Sequence, residues 1–382
     1  MIKTERLMHE FIELVKIDSL SRKEGALAAV LEKKLVELGL EVIRDEKSAE
    51  AAGADGGNVL GRWKRNINAT SIGKIVPALL LVAHMDTVTP GEGISPVIEG
   101  GIIKSSGTTI LGADDKSGIA AILEALRHIN EEKLPHGDVE VLFTIGEEVG
   151  LLGSRYLDYS LLKAKAGFVL DSGGSPGTII NQGPAQVKIK AVITGKTAHT
   201  GVNPEDGISA IQVAARAIDR MKLLRIDEET TANIGVISGG NVTNIVCDRV
   251  AIEGEARSLA DDKLDQQTRH MLECLEHTCR EFGAKADIET EQLYPAFLVD
   301  MADPLIEIAS KAARAAGLEP KVMASGGGSD TNYFNARGIK TLNLGTGMNK
   351  VHTTEEEIKV EDLHGTARFI VAIIGEIAGI IT

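Results

Sequence analysis

Aromatic residues are scarce in this 382-residue chain, Phe, Trp and Tyr together making up 3 %. That leaves no platform of stacking rings for single-stranded bases. Basic residues are outnumbered 41 to 55 by acidic ones, a formal net charge of −14, whereas phosphate backbones call for clustered Lys and Arg. Both shortages speak against a nucleic-acid partner. Cysteine is rarer still: Cys247, Cys274 and Cys279 are the whole supply, with no CxxC spacing. Such a set supports neither a disulfide framework nor a thiolate metal site, and it suits a reducing compartment. The apolar stretches at 76–83 and 369–381 are too short to cross a bilayer. The opening segment carries Glu5, Glu10 and Glu13 where a secretory signal needs an unbroken apolar run. The expectation is a soluble, cytoplasmic protein with no membrane partner.

What is present is enough for a substantial core. Apolar residues make up 43 % of the chain, and its length suits two or three domains, or one large core with an insertion. The first 40 residues read as two amphipathic helices, the second through 26–39 with Gly39 at its left-handed cap. After a Gly- and Ala-rich connection at 51–57, short apolar runs at 78–84, 139–145, 166–171 and 339–345 alternate with helical stretches at 117–132 and 303–316. Strands this uniformly apolar are buried on both faces, so the spacing predicts an α/β fold with a mostly parallel sheet sandwiched by helices. Asp303 and Pro304 make an N-cap and first helical residue, and Gly317 ends that helix.

The stretch 184–296 has a different rhythm. It reads strand (186–195), helix (206–222), strand (232–238), strand (249–257), helix (262–282), strand (285–293). This βαββαβ order is the ferredoxin-like pattern. The expected organisation is therefore a domain of 1–183 plus 297–382, with a compact α+β unit at 184–296 inserted in it.

Polar residues collect where the buried strands end. The run at 78–83 leads into His84 and Asp86, that at 141–145 into Glu147 and Glu148, that at 167–170 into Asp171, and that at 341–347, after a short loop, into His352. In open α/β sheets the ligand site lies beyond the carboxyl ends of the strands. Taken singly, each feature has an ordinary explanation. His84-x-Asp86 can be the polar end of a strand, Asp114 or Asp115 a helix cap, Glu147 and Glu148 acids suited to a helix start, and Asp171 a turn residue. Together they supply imidazoles, several carboxylates and a spare carboxylate as base, which is the inventory of a paired divalent-metal site.

The segments HMDTV, GADDKSG, GEEVGLLGS, DSGG, GKTAHTGVNPEDGISA, EGEARS and GGGSDTNYF…VHTTEE resemble, in order, those of the co-catalytic zinc hydrolases that include peptidase T, aminoacylases, carboxypeptidases and succinyl-diaminopimelate desuccinylase. The resemblance spans about residues 80–357 and includes the insertion, which that superfamily uses as a lid. It implies two Zn2+ ions per chain, with Co2+ or Mn2+ able to replace them. His84, Asp114 and Asp171 would hold the first ion; Asp114, rather than Asp115, would bridge to a second held by Glu148 and His352. Glu147 would be the general base and Asp86 the partner that orients His84. Residues i and i+2 of a strand share a face, which agrees with that last role.

In the insertion, His199 resembles the lid histidine that supports the oxyanion, usually in a partner subunit. Asn244 and Arg257 resemble the substrate-anchoring pair, and Gly327 lies in a Gly run suggesting close backbone approach to substrate. Asp rather than Glu at position 171 resembles the peptidase T-like and dipeptidase branches. The implied activity is a peptidase T-like aminopeptidase on short peptides, working as a homodimer through the lid. The alternatives are an N-acyl-amino-acid amidohydrolase of carboxypeptidase type on the same scaffold, and a metal-dependent binding protein that does not turn over.

Overall fold

The structure, a computed structural model of the chain, describes residues 1–66 and 78–379. The first two residues of the apolar run at 76–83 and the last two of that at 369–381 lie outside them. The chain divides into two compact units: residues 1–182, 298–324 and 329–382, and residues 183–297 with 325–328.

The larger unit is built on a nine-stranded sheet. Its centre is four parallel strands in the order Val139–Thr144, Leu79–His84, Ala166–Ser172, Lys340–Gly345. The first two of these are buried at every position, as expected of strands covered on both faces. Antiparallel strands flank the centre: Asn58–Trp63 pairs with Val139–Thr144, and Thr178–Gly183 pairs with Lys340–Gly345. The fold is thus mixed α/β with a mainly parallel core.

Helix Ala113–Glu131 packs on strand Leu79–His84 and against helices Thr4–Val15 and Val360–Ile377. At Gly118 the helix runs tight against the sheet. A Cβ on Gly118 would sit 2.7 Å from the carbonyl oxygen of Leu170, so only glycine allows this approach. Helix Pro304–Ala315 starts as expected, with Asp303 Oδ1 accepting the N–H of Leu305 at 2.9 Å, a cap of about 1 kcal/mol.

A second, four-stranded sheet was not foreseen from the sequence. It runs Met348–Asn349, Glu357–Lys359, Ile102–Lys104, Val97–Glu99. Its strands are two or three residues long, too short to show a period. The Gly- and Ala-rich connection also contains more order than expected, beginning inside helix Glu46–Ala52.

The smaller unit has an antiparallel sheet in which Thr230–Gly239, Arg249–Ser258, Ala185–Thr194 and Lys285–Tyr294 lie in that order. Short strand Leu224–Arg225 is added outside Thr230–Gly239. Helices Ala210–Arg220 and Asp261–Phe282 pack on the sheet through a core that includes Ile189, Val213, Ala217, Ile252, Met271 and Leu275. This order is that of a ferredoxin-like sheet.

Candidate metal centre

The parallel strands bring their carboxyl ends level. His84 is the register partner of Thr144 on one side, and on the other the pairing of Val82 with Val169 sets His84 beside Asp171. Asn343, on the next strand, receives the N–H of Asp171 at 3.0 Å and donates its amide to the carbonyl of Asp171 at 2.6 Å. These two bonds hold the strand end at a register shift in the ladder.

Asp114 lies at the centre. Its Oδ1 is 2.9 Å from His84 Nε2 and its Oδ2 is 3.2 Å from His352 Nε2. His84 Nε2 is also 3.8 Å from Asp171 Oδ1, and His352 Nε2 is 2.8 Å from Glu148 Oε1. Two three-residue groups result, His84–Asp114–Asp171 and Asp114–Glu148–His352. Within each, the donor atoms all lie within 4.8 Å of one another, and His84, Glu147 and Glu148 form a third such group.

Asp115 turns elsewhere. Its Oδ2 receives the backbone N–H of His84 at 3.2 Å and its Oδ1 that of Gly118, also at 3.2 Å. The loop ahead of Asp114 is held by Glu356, a fully buried carboxylate. It accepts the N–H groups of Leu111 at 2.6 Å, Gly112 at 2.8 Å and Asp114 at 3.1 Å. The small sheet positions both Glu356 and His352, since the two follow each other in the loop joining Met348–Asn349 to Glu357–Lys359. His352 itself has a φ of 63°, a left-handed conformation uncommon among non-glycine residues.

His84 Nδ1 points at Asp86, but the backbone oxygen is nearer at 3.0 Å than carboxylate Oδ1 at 3.5 Å. Donation from Nδ1 leaves Nε2 as the ligating nitrogen. The Asp86 carboxylate is also committed to the neighbouring turn. It accepts the N–H groups of Glu147 at 2.9 Å and Glu148 at 3.2 Å, and the hydroxyl of Ser21 at 2.7 Å.

Burial pushes the carboxyls of Glu147, Glu148 and Asp171 above their usual range, and neighbouring acids reinforce it: Glu148 and Asp330 for Glu147, Asp114 for Glu148, Glu147 and Asp114 for Asp171. Hydrogen bonds to Asp114 and Glu148 raise His352 to about 10. Burial opposes protonation of His84, yet its bonds to Asp114 and Asp86 hold it well above its ordinary value. The cluster holds more carboxylates than imidazoles can balance. That is the electrostatic condition for binding divalent cations.

The model of peptidase family M20/M25/M40 matches residues 80–376, a span that takes in His84, Asp114, Glu147, Glu148, Asp171 and His352. The chain belongs to peptidase family M20/M25/M40. Among solved structures, the M20 chain is similar to aminopeptidase PepT from Bacillus cereus ATCC 10987, at 47 % identity and a TM-score of 0.87 with 99 % of each chain covered. It is also similar to a tripeptidase from Staphylococcus aureus, at 42 % identity and a TM-score of 0.93, with 99 % of this chain and 100 % of that one covered. The protein YqjE of Bacillus subtilis (strain 168) is 45 % identical over 378 residues, 99 % of this chain and 100 % of that protein. The M20 chain is therefore a peptidase.

The remaining expected site residues lie in the smaller unit of this M20 peptidase. His199 and Asn244, far apart in sequence, meet across an antiparallel bridge between His199 and Ile245, with the N–H of Thr200 donating to the carbonyl of Asn244 at 3.3 Å. Both side chains are exposed. Arg257 is held bidentately by Glu255, Nε to Oε1 at 2.9 Å and Nη2 to Oε2 at 3.1 Å. The two share a face of one strand, two residues apart. Gly327 is exposed, and a Cβ there would meet only Ser325 Oγ, at 3.7 Å. The crowded glycine is Gly328, where a Cβ would fall 2.3 Å from the ring of Tyr294. Sequence reasoning passed over Glu24, Ser21, Asn343 and Glu356. Only Glu356 lay inside a recognised motif, and nothing in that motif marks it as a backbone acceptor.

Proposed function

We propose that this peptidase is a two-zinc aminopeptidase that cleaves short peptides, tripeptides among them. The observation that carries the reading is the double use of Asp114, whose two carboxylate oxygens face separate imidazoles. Each half of the centre offers one imidazole nitrogen and carboxylate oxygens, a donor set that fits Zn2+ and also accepts Co2+ or Mn2+. His84, Asp114 and Asp171 would hold one ion; Asp114, Glu148 and His352 would hold the other. Ions held there supply Lewis acidity, which acidifies water and polarises a carbonyl oxygen.

Glu147 is needed by neither of the groups that share Asp114, yet it is buried among them. It takes a proton from the attacking water and returns it to the leaving amine nitrogen. Asp86 fixes the direction of Glu147 through its backbone N–H and the tautomer of His84 through Nδ1. His199 Nδ1 accepts the N–H of Gly201 at 3.1 Å, which places the ring proton on Nε2, the form able to donate to a developing oxyanion. Asn244, Arg257 and Gly327 are assigned to substrate binding, with the Arg257 guanidinium matched to a peptide carboxylate.

The inserted unit is assigned as the lid and as the dimer contact. Among the described residues, the outer edge of Thr230–Gly239 is paired only at Ala232 and Thr231, by Leu224–Arg225. Val236 and Ile237 beyond that pairing are 51 % and 53 % exposed. An open apolar edge of this kind is commonly buried by pairing with a second copy about a two-fold axis. In such a homodimer His199 and Asn244 of one chain serve the metal centre of the other. A cytoplasmic setting suits the three free thiols.

The experiment that tests the activity is digestion of a peptide library with mass-spectrometric readout, beside a panel of N-acyl amino acids. Stepwise loss of N-terminal residues from short peptides is expected. Turnover confined to the acyl compounds would make the enzyme an amidohydrolase, and none with both ions bound would make it a binding protein.

A further inference from the structure

Three consecutive backbone N–H groups, those of Gly146, Glu147 and Glu148, all end on buried carboxylates. Asp86 takes the second and third, as described. The first goes to Glu24 Oε1, at 2.8 Å. Glu24 has no accessible surface, and the same oxygen takes the N–H of Arg22 at 2.9 Å. Its other oxygen, Oε2, has no hydrogen-bond partner among the described residues.

Local structure does not account for a carboxylate here. Glu24 is the N-cap of helix Gly25–Glu37, yet its side chain does not cap that helix. The first helical N–H, that of Gly25, is received instead by Asp55 Oδ1 at 2.8 Å. Burying a carboxylate with one oxygen unpaired is unfavourable, because that oxygen loses its water without gaining a donor. Beside Asp86 the group carries a further electrostatic cost, and burial together with the Asp86 charge pushes its carboxyl up to about 7. A feature this unfavourable persists where its surroundings are organised around it.

What it touches is the hinge of the catalytic turn. Gly146 has a φ of 56° and joins strand Val139–Thr144 to the turn Glu147–Val149. Residues 19–24 grip the neighbouring strand end as well. Ser19 Oγ donates to the carbonyl of Met85 at 2.8 Å, the N–H of Thr87 donates to the carbonyl of Ser19 at 2.9 Å, and Ser21 Oγ reaches Asp86. We propose that Glu24 is a positioning residue that anchors the N–H of Gly146 and thereby fixes the direction of Glu147, the next residue along. Its effect on turnover rests on the peptidase mechanism given above; its effect on the turn does not.

The test uses metal-loaded, full-length Glu24→Ala and Glu24→Gln, read by amide hydrogen exchange of the segment 144–149, by metal content and by peptide hydrolysis. Misplacing catalytic groups by about 1 Å costs roughly 10²-fold, so Glu24→Ala is expected to exchange faster and to lose about 10- to 100-fold in kcat, with KM within about 2-fold and metal content unchanged. Glu24→Gln, which keeps an acceptor oxygen, is expected to restore exchange and kcat to within about 3-fold of the parent. Should the alanine variant fail to fold, Glu24→Asp, which withdraws the acceptor by one carbon, takes its place with the same expectations. Unchanged exchange and kcat in Glu24→Ala, a defect in Glu24→Gln as large as in Glu24→Ala, or a kcat loss matched by lost metal would each overturn the proposal. An unmutated enzyme without peptidase activity would sink the functional reading instead, and the exchange data would still decide the role of Glu24.

Discussion

The backbone N–H of Glu147 donates to Oδ1 of Asp86 at 2.9 Å, so the assigned base is aimed by the carboxylate that also lies beside His84. Removing that carboxylate frees two amides of the turn and one support of a ligand at once. Because the nearer backbone oxygen still faces His84 Nδ1, Asp86→Ala is expected to weaken metal binding by about 10-fold, the lower end of the scale for a lost partner of a ligating histidine, and to lower kcat further. Chelator-competition titration and steady-state kinetics measure the two effects separately. Parent-like values in both would remove Asp86 from the mechanism.

Glu147 and Glu148 are adjacent but assigned different work. Glu147→Gln is expected to keep both metals and the fold while turnover falls at least about 10²-fold, the lower end of general-base contributions. Glu148→Ala should instead lose the ion shared with His352. Metal analysis of both variants settles the order, and the opposite pattern would exchange the two roles.

Glu24 also imposes a pH dependence on stability. Its folded-state carboxyl sits near 7 against an ordinary value of 4.5. Between those values the folded protein keeps a proton that the unfolded chain has released, so stability falls as pH rises through this window. The glutamine variant has no such proton. The melting temperature of Glu24→Gln relative to the parent should therefore rise from pH 5 to pH 8, by several degrees at most. A difference that does not change with pH would contradict the shift.

The open edge of Thr230–Gly239 gives an assembly prediction. Ile237→Lys places a charge at a 53 % exposed apolar position and should convert a dimer to a monomer in sedimentation experiments. Mixing His199→Ala with Glu147→Ala chains tests the shared site. In a heterodimer with lids acting across the interface, one composite site carries both lesions and the other carries none. Activity should then return towards about a quarter of the parent, since random exchange makes half of the dimers mixed. No recovery despite demonstrated exchange would place His199 in its own chain's site or outside catalysis.

Much of this was legible in the sequence because burial on both faces leaves a plain trace. Strand Leu79–His84 is apolar up to its last residue, and Val139–Thr144 departs from that only at Glu140 and Thr144, so the polar residues that end or follow the strands stand out as a set. The elements of the smaller unit were legible because its half-exposed strands and two amphipathic helices keep their periods. The small sheet beneath His352 was not, since strands of two or three residues have no period to read. Glu24 and Glu356 were missed for another reason. They act on backbone amides brought near only by the fold: Gly146 is 122 residues from Glu24 and Leu111 is 245 from Glu356. Arg257 was legible as a strand-end cation, but its pairing with Glu255 follows from their shared face and was available from the two-residue spacing.

The central claim is a pair of divalent ions bridged by Asp114, and elemental analysis of exhaustively dialysed protein tests it most directly. The account predicts two zinc, cobalt or manganese ions per chain, with fewer in Asp114→Ala. In a metal-bound crystal structure the ions should lie about 3.5–4 Å apart, as in paired sites generally. One ion or none per chain under conditions that support full activity, or two ions retained at full affinity without Asp114, would contradict it.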